Sequence, residues 1–365
     1  MEITIAQPQL LKALELLSRI STKHVTLPVL QCVLISVKNN QVVFSATNLE
    51  IGIEISSPAT VVEEGVIAIP SATLLQTIQL VTDKEITLKV EEGTLTIEGK
   101  QSQTQIKSIP HDEFPSIPQL ETTGQTINRS LFSLGIKTVS FAASQSSIKP
   151  ELGSINIHQK KEHTLTFVAT DSFRLMEKTV PQKGVVFDEA IMVPQKNATE
   201  LARVADLLEE DPELIVNENQ CALRFTESGV YITSRLVTGS FPDYEQIIPK
   251  EYSTHSIVLK SDLTQAFKRS NVFLNKFLQV TMAVTKDSLT VTAHNGDVGA
   301  TTESMLAKTD GEELTLSFNQ HYLLDSLQHI NDDSVDLNFA GLGRPLVMKG
   351  ISDTTLRYLV MPMNK

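Results

Sequence analysis

Tryptophan is absent from the 365 residues, aromatic side chains make up only 5%, and the two cysteines, Cys32 and Cys221, stand far apart. So few aromatics give no stacking platform for bases or sugars. Two distant thiols exclude a disulfide framework and a structural zinc, and they point to a reducing, cytoplasmic setting. No apolar run approaches the roughly 18 residues of a spanning helix, so no membrane association is expected. The opening residues show no basic segment followed by an apolar stretch, which predicts no signal peptide. Positive charge is also short. Lys and Arg number 31 against 43 Asp and Glu, for a formal charge of −12, and taken alone this argues against a nucleic-acid partner. Enough apolar material is present, 41% of the residues, to exclude a disordered chain. The length predicts two or three domains at roughly 100–200 residues each.

Self-similarity organises what is there. FSATNLEIGIEI from Phe44, FVATDSFRLMEK from Phe167 and VTAHNGDVGATTE from Val291 place Asn48, Asp171 and Asn295 in equivalent positions, 123 and 124 residues apart. Ile69-Pro70, Val193-Pro194 and Phe318-Asn319 each precede an apolar-periodic stretch, at spacings of 124 and 125. The two sets agree and predict three homologous domains, 1–124, 125–252 and 253–365.

Apolar residues at i, i+3/i+4 and i+7 predict six amphipathic helices, near 7–20, 71–82, 129–142, 195–208, 261–274 and 320–330. Ser71 and Ser261 stand where N-caps belong. Between the helices, segments such as Ile51–Ile55 and Leu289–Ala293 alternate with period two, as half-buried antiparallel strands do. Asn39-Asn40 and Glu92-Gly93 read as turns. The expected fold class is α+β, each domain carrying two helices on one side of antiparallel sheets.

Catalytic patterns are missing. The sequence contains no GxSxG elbow, P-loop, HExxH or EF-hand loop. Gly341-Leu342-Gly343 reads as a tight turn, and His158 and His163, near Lys160-Lys161, as a solvated hairpin loop. Asp171-Ser172 has no histidine tied to it by spacing, and the cysteines fall in apolar runs that suit buried thiols. No cofactor, no metal and no enzymatic activity are expected. Charge, however, is unevenly placed. The six helix windows carry eight basic and five acidic residues, so the acidic excess lies elsewhere. Helices facing one polyanion, with acidic sheets outside, would fit that split.

Five phrases carry a family resemblance. They are Thr26-Leu27-Pro28-Val29-Leu30; Ala169-Thr170-Asp171-Ser172 with Arg174-Leu175; Phe241-Pro242-Asp243-Tyr244 with Pro249; Phe318-Asn319 with Tyr322-Leu323-Leu324-Asp325; and the tail Tyr358-Leu359-Val360-Met361-Pro362-Met363. In that order, on a threefold repeat, the chain resembles the bacterial DNA polymerase III beta subunits, the sliding clamps, over essentially its full length. The resemblance implies three tandem clamp domains forming half of a ring, closed as a head-to-tail homodimer around double-stranded DNA without sequence specificity. It implies DNA-facing Lys12, Arg19, Lys137, Lys196, Arg203 and Lys268, with Lys23, His24 and Lys149 in loops. His24 replaces a usual arginine and so lacks a full charge at neutral pH.

The resemblance also implies a groove that takes a short glutamine-leucine-type peptide from DNA polymerase, the clamp loader and repair proteins. Leu152, Leu175, Pro242, Ile247, Pro345, Leu359, Val360, Met361, Pro362 and Met363 would supply its apolar surface, and Thr170, Ser172, Phe173, Arg174 and Gln246 its edges. Phe173 replaces a usual histidine, Gln246 a common arginine, and Asn364-Lys365 an arginine-containing end. These departures bear on which peptide is preferred. The ring interface would use Thr104 and Ile106 of one subunit with Val272 and Phe273 of the other. The competing reading is an adaptor that shares the fold and groove without encircling DNA.

Overall fold

The computed structural model describes residues 1–21, 26–100, 102–146, 148–186 and 189–363. Lys23, His24 and Asn364-Lys365 lie outside the described residues. All six predicted helices are present: α1 (Gln7–Leu17), α2 (Ser71–Leu80), α3 (Arg129–Val139), α4 (Gln195–Leu207), α5 (Lys260–Ser270) and α6 (Gln320–Leu327). Their starts fall within one residue of the periodicity, and their ends come earlier. The α3 and α5 patterns run on into 3-10 turns, Ser140–Ala142 and Asn271–Phe273, which keep an apolar face without the α-helical ladder.

The expected caps are corrected. Pro70, not Ser71, occupies the N-cap of α2, and the Ser71 hydroxyl is buried without a hydrogen-bond partner. Leu259 caps α5, while the Ser261 hydroxyl donates to Asp262 at 3.2 Å. A strand runs straight into each helix, so the cap position belongs to the last strand residue. Asn319 is a working side-chain cap, accepting from the backbone N–H groups of His321 and Tyr322, and Asn128 before α3 accepts from Leu131 N–H at 3.0 Å.

Every strand pair described is antiparallel, and the order of elements repeats three times: strand, helix, a run of strands, helix, three strands. The predicted turns hold. Asn39 and Asn40 both have positive φ, 51° and 58°, as do Glu92 and Gly93 at 47° and 74°. Two such residues in succession give the mirror-image turn that suits a two-residue hairpin. Gly341 and Gly343 likewise turn the chain between Ser334–Phe339 and Leu346–Gly350.

Compactness divides the chain differently from the repeat. One unit comprises residues 1–133 and 196–236, the other 134–195 and 237–365. The first holds a five-stranded sheet and an eight-stranded one, the second a twelve-stranded sheet. The reason is strand pairing across the repeat. Val230–Arg235 joins Ile51–Ser57 in the eight-stranded sheet, and Arg174–Pro181 joins Leu356–Val360 in the twelve-stranded sheet. The middle third therefore gives strands to both units.

Cores are apolar throughout. In the first unit Leu10, Leu14, Leu17, Leu74 and Ile78 of the two helices are fully covered, and in the second Leu263, Phe267, Leu323 and Leu327 are covered. The thiols of Cys32 and Cys221 are buried, and burial pushes them up to about 11 and about 12, which makes them inert at neutral pH. Among the described residues no helix is long and apolar enough to cross a membrane, and no group of three His, Cys, Asp or Glu could hold a metal.

Candidate peptide-binding site

The site lies in the second compact unit and starts from the second copy of the repeated phrase. Asp171 Oδ1 accepts the backbone N–H groups of Phe173 and Arg174, both at 2.9 Å. The Thr170 hydroxyl donates to the Arg174 carbonyl at 2.7 Å and accepts from Ser172 N–H at 3.2 Å. Ser172 sits at φ 77°, in the left-handed region. Short polar side chains that satisfy their own backbone make such a turn without glycine. The repeat position read from sequence is thus a turn-builder: Asn48 does the same for Glu50 and Ile51, and Asn295 accepts Asp297 N–H at 3.0 Å.

After the turn, strand Arg174–Pro181 pairs with the C-terminal strand, Leu175 opposite Leu359 and Arg174 opposite Val360. The ladder ends where Met361 N–H donates to the Phe173 carbonyl at 2.8 Å, and Met363 N–H donates to the Ser317 carbonyl at 2.7 Å. Strand alternation puts Leu359 and Met361 on one face. There Leu175, Leu359, Val168, Val347 and Tyr244 form a buried cluster, with Phe241, Ile248, Tyr252 and Met361 packed against it half-buried. Val360 is fully buried and faces the opposite way, so it supports the sheet rather than this surface.

The rim is exposed. Phe173 is 62% exposed and Ile247 48%, with Pro242 and Gln246 also open to solvent. A Phe and an Ile left this bare at the edge of an apolar floor mark a binding surface more than a packing one. Gln246 Nε2 donates to Asp243 at 2.7 Å within the 3-10 turn Tyr244–Ile247. Pro362 and Met363 are half-buried, Leu152 is 7% exposed in the loop before Ser154–His158, and Pro345 precedes the strand Leu346–Gly350.

Arg174 serves the fold first. Its Nε donates to Asp171 at 3.0 Å and its Nη1 to Asp325 at 3.0 Å, and the guanidinium lies 4.3 Å from the Tyr322 ring centre and 5.2 Å from that of Phe141. Its side chain is only 12% exposed. Thr170 is likewise spent on the turn. The two polar side chains expected at the peptide's edge therefore hold the turn in place. Tyr322 and Asp325 belong to the phrase around α6, and Phe241 and Tyr244 to the proline phrase. Both phrases were visible in the sequence, but only folding shows what they touch.

His158 corrects a second expectation. It ends its strand half-buried, 3.4 Å from the Tyr244 hydroxyl, and burial holds its imidazole below the usual range although Glu177 opposes this. Tyr244 donates to buried Glu177 at 2.8 Å. His163 alone occupies the hairpin loop, at φ 61°.

The predicted DNA-facing cations are mostly exposed. Lys12, Lys137, Lys196 and Lys268 are exposed on α1, α3, α4 and α5, Arg19 follows α1, and Lys149 is exposed in a loop. Arg203 differs: its side chain is 16% exposed, donating to Glu200 at 2.6 Å and to the Leu16 carbonyl at 3.1 Å, so it staples α4 to α1. Of the predicted interface residues, Thr104 is exposed on the edge strand Gln103–Lys107 while Ile106 is buried in its own unit. In the other unit Val272 is 65% exposed and Phe273 half-buried.

Comparison with known proteins covers the whole chain. Family models for the DNA polymerase III beta subunit match its N-terminal domain at residues 1–118, its central domain at 126–243 and its C-terminal domain at 245–364. A beta sliding clamp of Pseudomonas putida is 29% identical, covering all of both chains. The crystal structure of the DNA polymerase III subunit beta from Pseudomonas aeruginosa superposes with a TM-score of 0.94 at 25% identity over the full length of both. A sliding clamp from the same organism bound to griselimycin gives 0.92, also at 25% identity and full coverage. With all three consecutive domain models matched and the element order repeated three times, the chain belongs to the DNA polymerase III beta subunit family, the bacterial sliding clamps, non-catalytic processivity factors of replication.

Proposed function

We propose that this chain encircles duplex DNA as a head-to-tail homodimer in the cytoplasm and tethers DNA polymerase, the clamp loader and repair proteins through the groove beside Phe173. The observation that carries the reading is the threefold repetition of one element order along a chain that matches sliding clamps from end to end. Domains 1–124, 125–252 and 253–365 would each supply two helices to the pore. Lys12, Arg19, Lys137, Lys149, Lys196, Arg203 and Lys268 face the DNA, together with Lys23 and His24, and Arg203 also ties α4 to the Leu16 carbonyl of α1. Enclosure needs no tight grip. A few scattered cations on an acidic protein keep the duplex centred, whereas many strong phosphate contacts would oppose sliding.

Thr104 and Ile106 meet Val272 and Phe273 of the second subunit in this reading. Two strand edges support it: among the described residues Gln103–Lys107 ends its sheet, and residues 299–306 pair only with Ser288–Asn295. Exposed edges of this kind invite pairing with another chain.

The groove takes an apolar peptide over Leu175, Leu359 and Met361, edged by Thr170, Ser172, Phe173, Arg174, Pro242, Gln246 and Ile247. Leu152, Pro345, Pro362 and Met363 extend it, and Val360 backs it. Methionines suit a surface that must accept several partners. That a clamp of the same fold is found bound to griselimycin supports a ligand-accepting surface.

The test is retention on DNA. The loaded protein stays on nicked circular DNA and falls off after that DNA is cut once. Equal retention on circular and linear DNA would overturn enclosure, and a stable monomer at micromolar concentration would favour the adaptor reading.

A further inference from the structure

The sheet face that floors the groove continues into a second concavity that the clamp function does not use. A cavity of about 490 Å³ lies under residues 248–252, between the hairpin loop at Lys160 and the strands Leu346–Gly350 and Leu356–Val360. Four cations line it, Lys160, Lys250, Lys349 and Arg357, against two carboxylates, Glu245 and Asp353. In a chain of formal charge −12 this is a local reversal of sign.

Both carboxylates are already engaged. Glu245 pairs with Lys160 at 2.8 Å, and Asp353 pairs with Lys178 at 2.9 Å. The other cations are held more loosely. Arg357 comes only within 3.8 Å of Glu177, beyond hydrogen-bond range, and remains 39% exposed. Lys349 is 45% exposed with Asp336 at 3.5 Å, and Lys250 is exposed with no ion pair among the described residues. Three donors, two in long ion pairs and Lys250 in none among the described residues, therefore surround a concave space with capacity for a further anion.

Position links this cavity to the groove. Arg357, Leu359 and Met361 alternate onto one strand face, so Arg357 lies four residues, roughly 13 Å, from Met361. The 3-10 turn carries both sites: Gln246 and Ile247 stand at the groove rim, while Glu245 and the following Ile248 line the cavity. Tyr252 and Ile248 pack on the same buried cluster as Met361.

We propose that the cavity receives acidic side chains, Asp or Glu, of a polypeptide whose apolar anchor lies in the groove; this rests on the peptide-groove reading. The chemistry is rim electrostatics, which selects partners and speeds encounter more than it adds affinity. A polypeptide is favoured over a free anion because one continuous face presents an apolar floor and then loosely held cations within a few residues' reach.

The experiment uses the full chain and two labelled peptides with the same glutamine-leucine-type anchor. One carries a Glu-Asp-Glu flank four to six residues away, the other a Ser-Gly-Ser flank. Fluorescence anisotropy should show the acidic peptide binding about fivefold tighter, as two or three exposed pairs would give. Lys250→Glu combined with Lys349→Glu should abolish that preference and leave the neutral peptide's affinity unchanged. Equal binding of the two peptides to the unaltered chain overturns the inference, as does a preference that survives in the variant. Binding of the acidic peptide alone, lost in the variant, removes the groove reading and keeps the cavity. Failure of both peptides removes both.

Discussion

The two compact units contain the same turn with opposite chemistry. In the first, Thr47 Oγ1 donates to the Ile51 carbonyl at 3.0 Å, Asn48 caps two backbone N–H groups, and Leu49 sits at φ 78°. In the second, Thr170, Asp171 and Ser172 repeat every feature. Arg235 N–H reaches the Glu50 carbonyl at 2.8 Å as Met361 N–H reaches that of Phe173 at 2.8 Å. A Phe-Pro pair follows each turn along the chain, at 114–115 and 241–242. The side chains differ. Glu50, Gly52, Thr233 and Arg235 stand where the second unit has Phe173, Leu175, Leu359 and Met361. The first unit's turn borders a cavity of about 250 Å³, lined partly by Glu50, Gln220 and Arg235. Duplication copied the backbone; side-chain replacement alone decides which copy offers an apolar floor.

The largest effect that probes this comparison is Arg174→Ile, which installs the first unit's residue in the second. It strands Asp171, whose side chain is 13% exposed, beside an apolar neighbour, and we expect a loss of about 3 kcal/mol in unfolding free energy measured by urea titration. An unchanged midpoint would mean that the turn stands without its ion pairs. Next, Met361→Ala with Met363→Ala should weaken an apolar peptide by about 2 kcal/mol, near thirtyfold, with dimerisation preserved. Arg235→Ala should leave that affinity alone. Equal losses would show that both turns bind peptide. Third, Asn48→Ala removes the acceptor for two backbone donors in the first turn and should cost about 1 kcal/mol of stability by thermal melting. Asp171→Ala should cost more, because it also removes one of the two ion pairs of Arg174.

The smallest effect separates the units by pH. His329 stacks on Phe141 at 4.9 Å, and burial holds its imidazole below the usual range despite nearby Asp325. The folded state thus resists a proton that the unfolded chain accepts near pH 6.5. Stability from this group is complete above that pH and falls as pH drops below it. Melting between pH 7.5 and 5.5 should show the decline, and His329→Gln should flatten it. A slope unaffected by the substitution would remove His329 as its source.

Much of the fold was legible because its signals are local. Helical periodicity placed six starts to within a residue, and Asn39-Asn40 and Glu92-Gly93 named their turns. The caps were misread at Ser71 and Ser261 because residue type was taken without the strand that runs into each helix. Asn48, Asp171 and Asn295 were seen as a repeat, but their work as acceptors for their own backbone emerged only with the turn's dihedral angles. The candidate groove was legible as phrases, yet Val360 faces away from it and Thr170 and Arg174 are spent on the turn, since alternation and pairing partners set those roles.

What the sequence determined by itself was the threefold repeat, the class of every helix and the absence of any catalytic pattern, all carried by neighbours a few residues apart or by recurrence at one spacing. Tertiary structure alone decided that the middle third gives strands to both units, that Arg174 is held between Asp171 and Asp325, and that loosely held cations gather beside an apolar floor. Those outcomes depend on ladders joining residues more than a hundred positions apart, such as Ser234 with Ile51 and Val360 with Arg174. Neither periodicity nor composition records such partners.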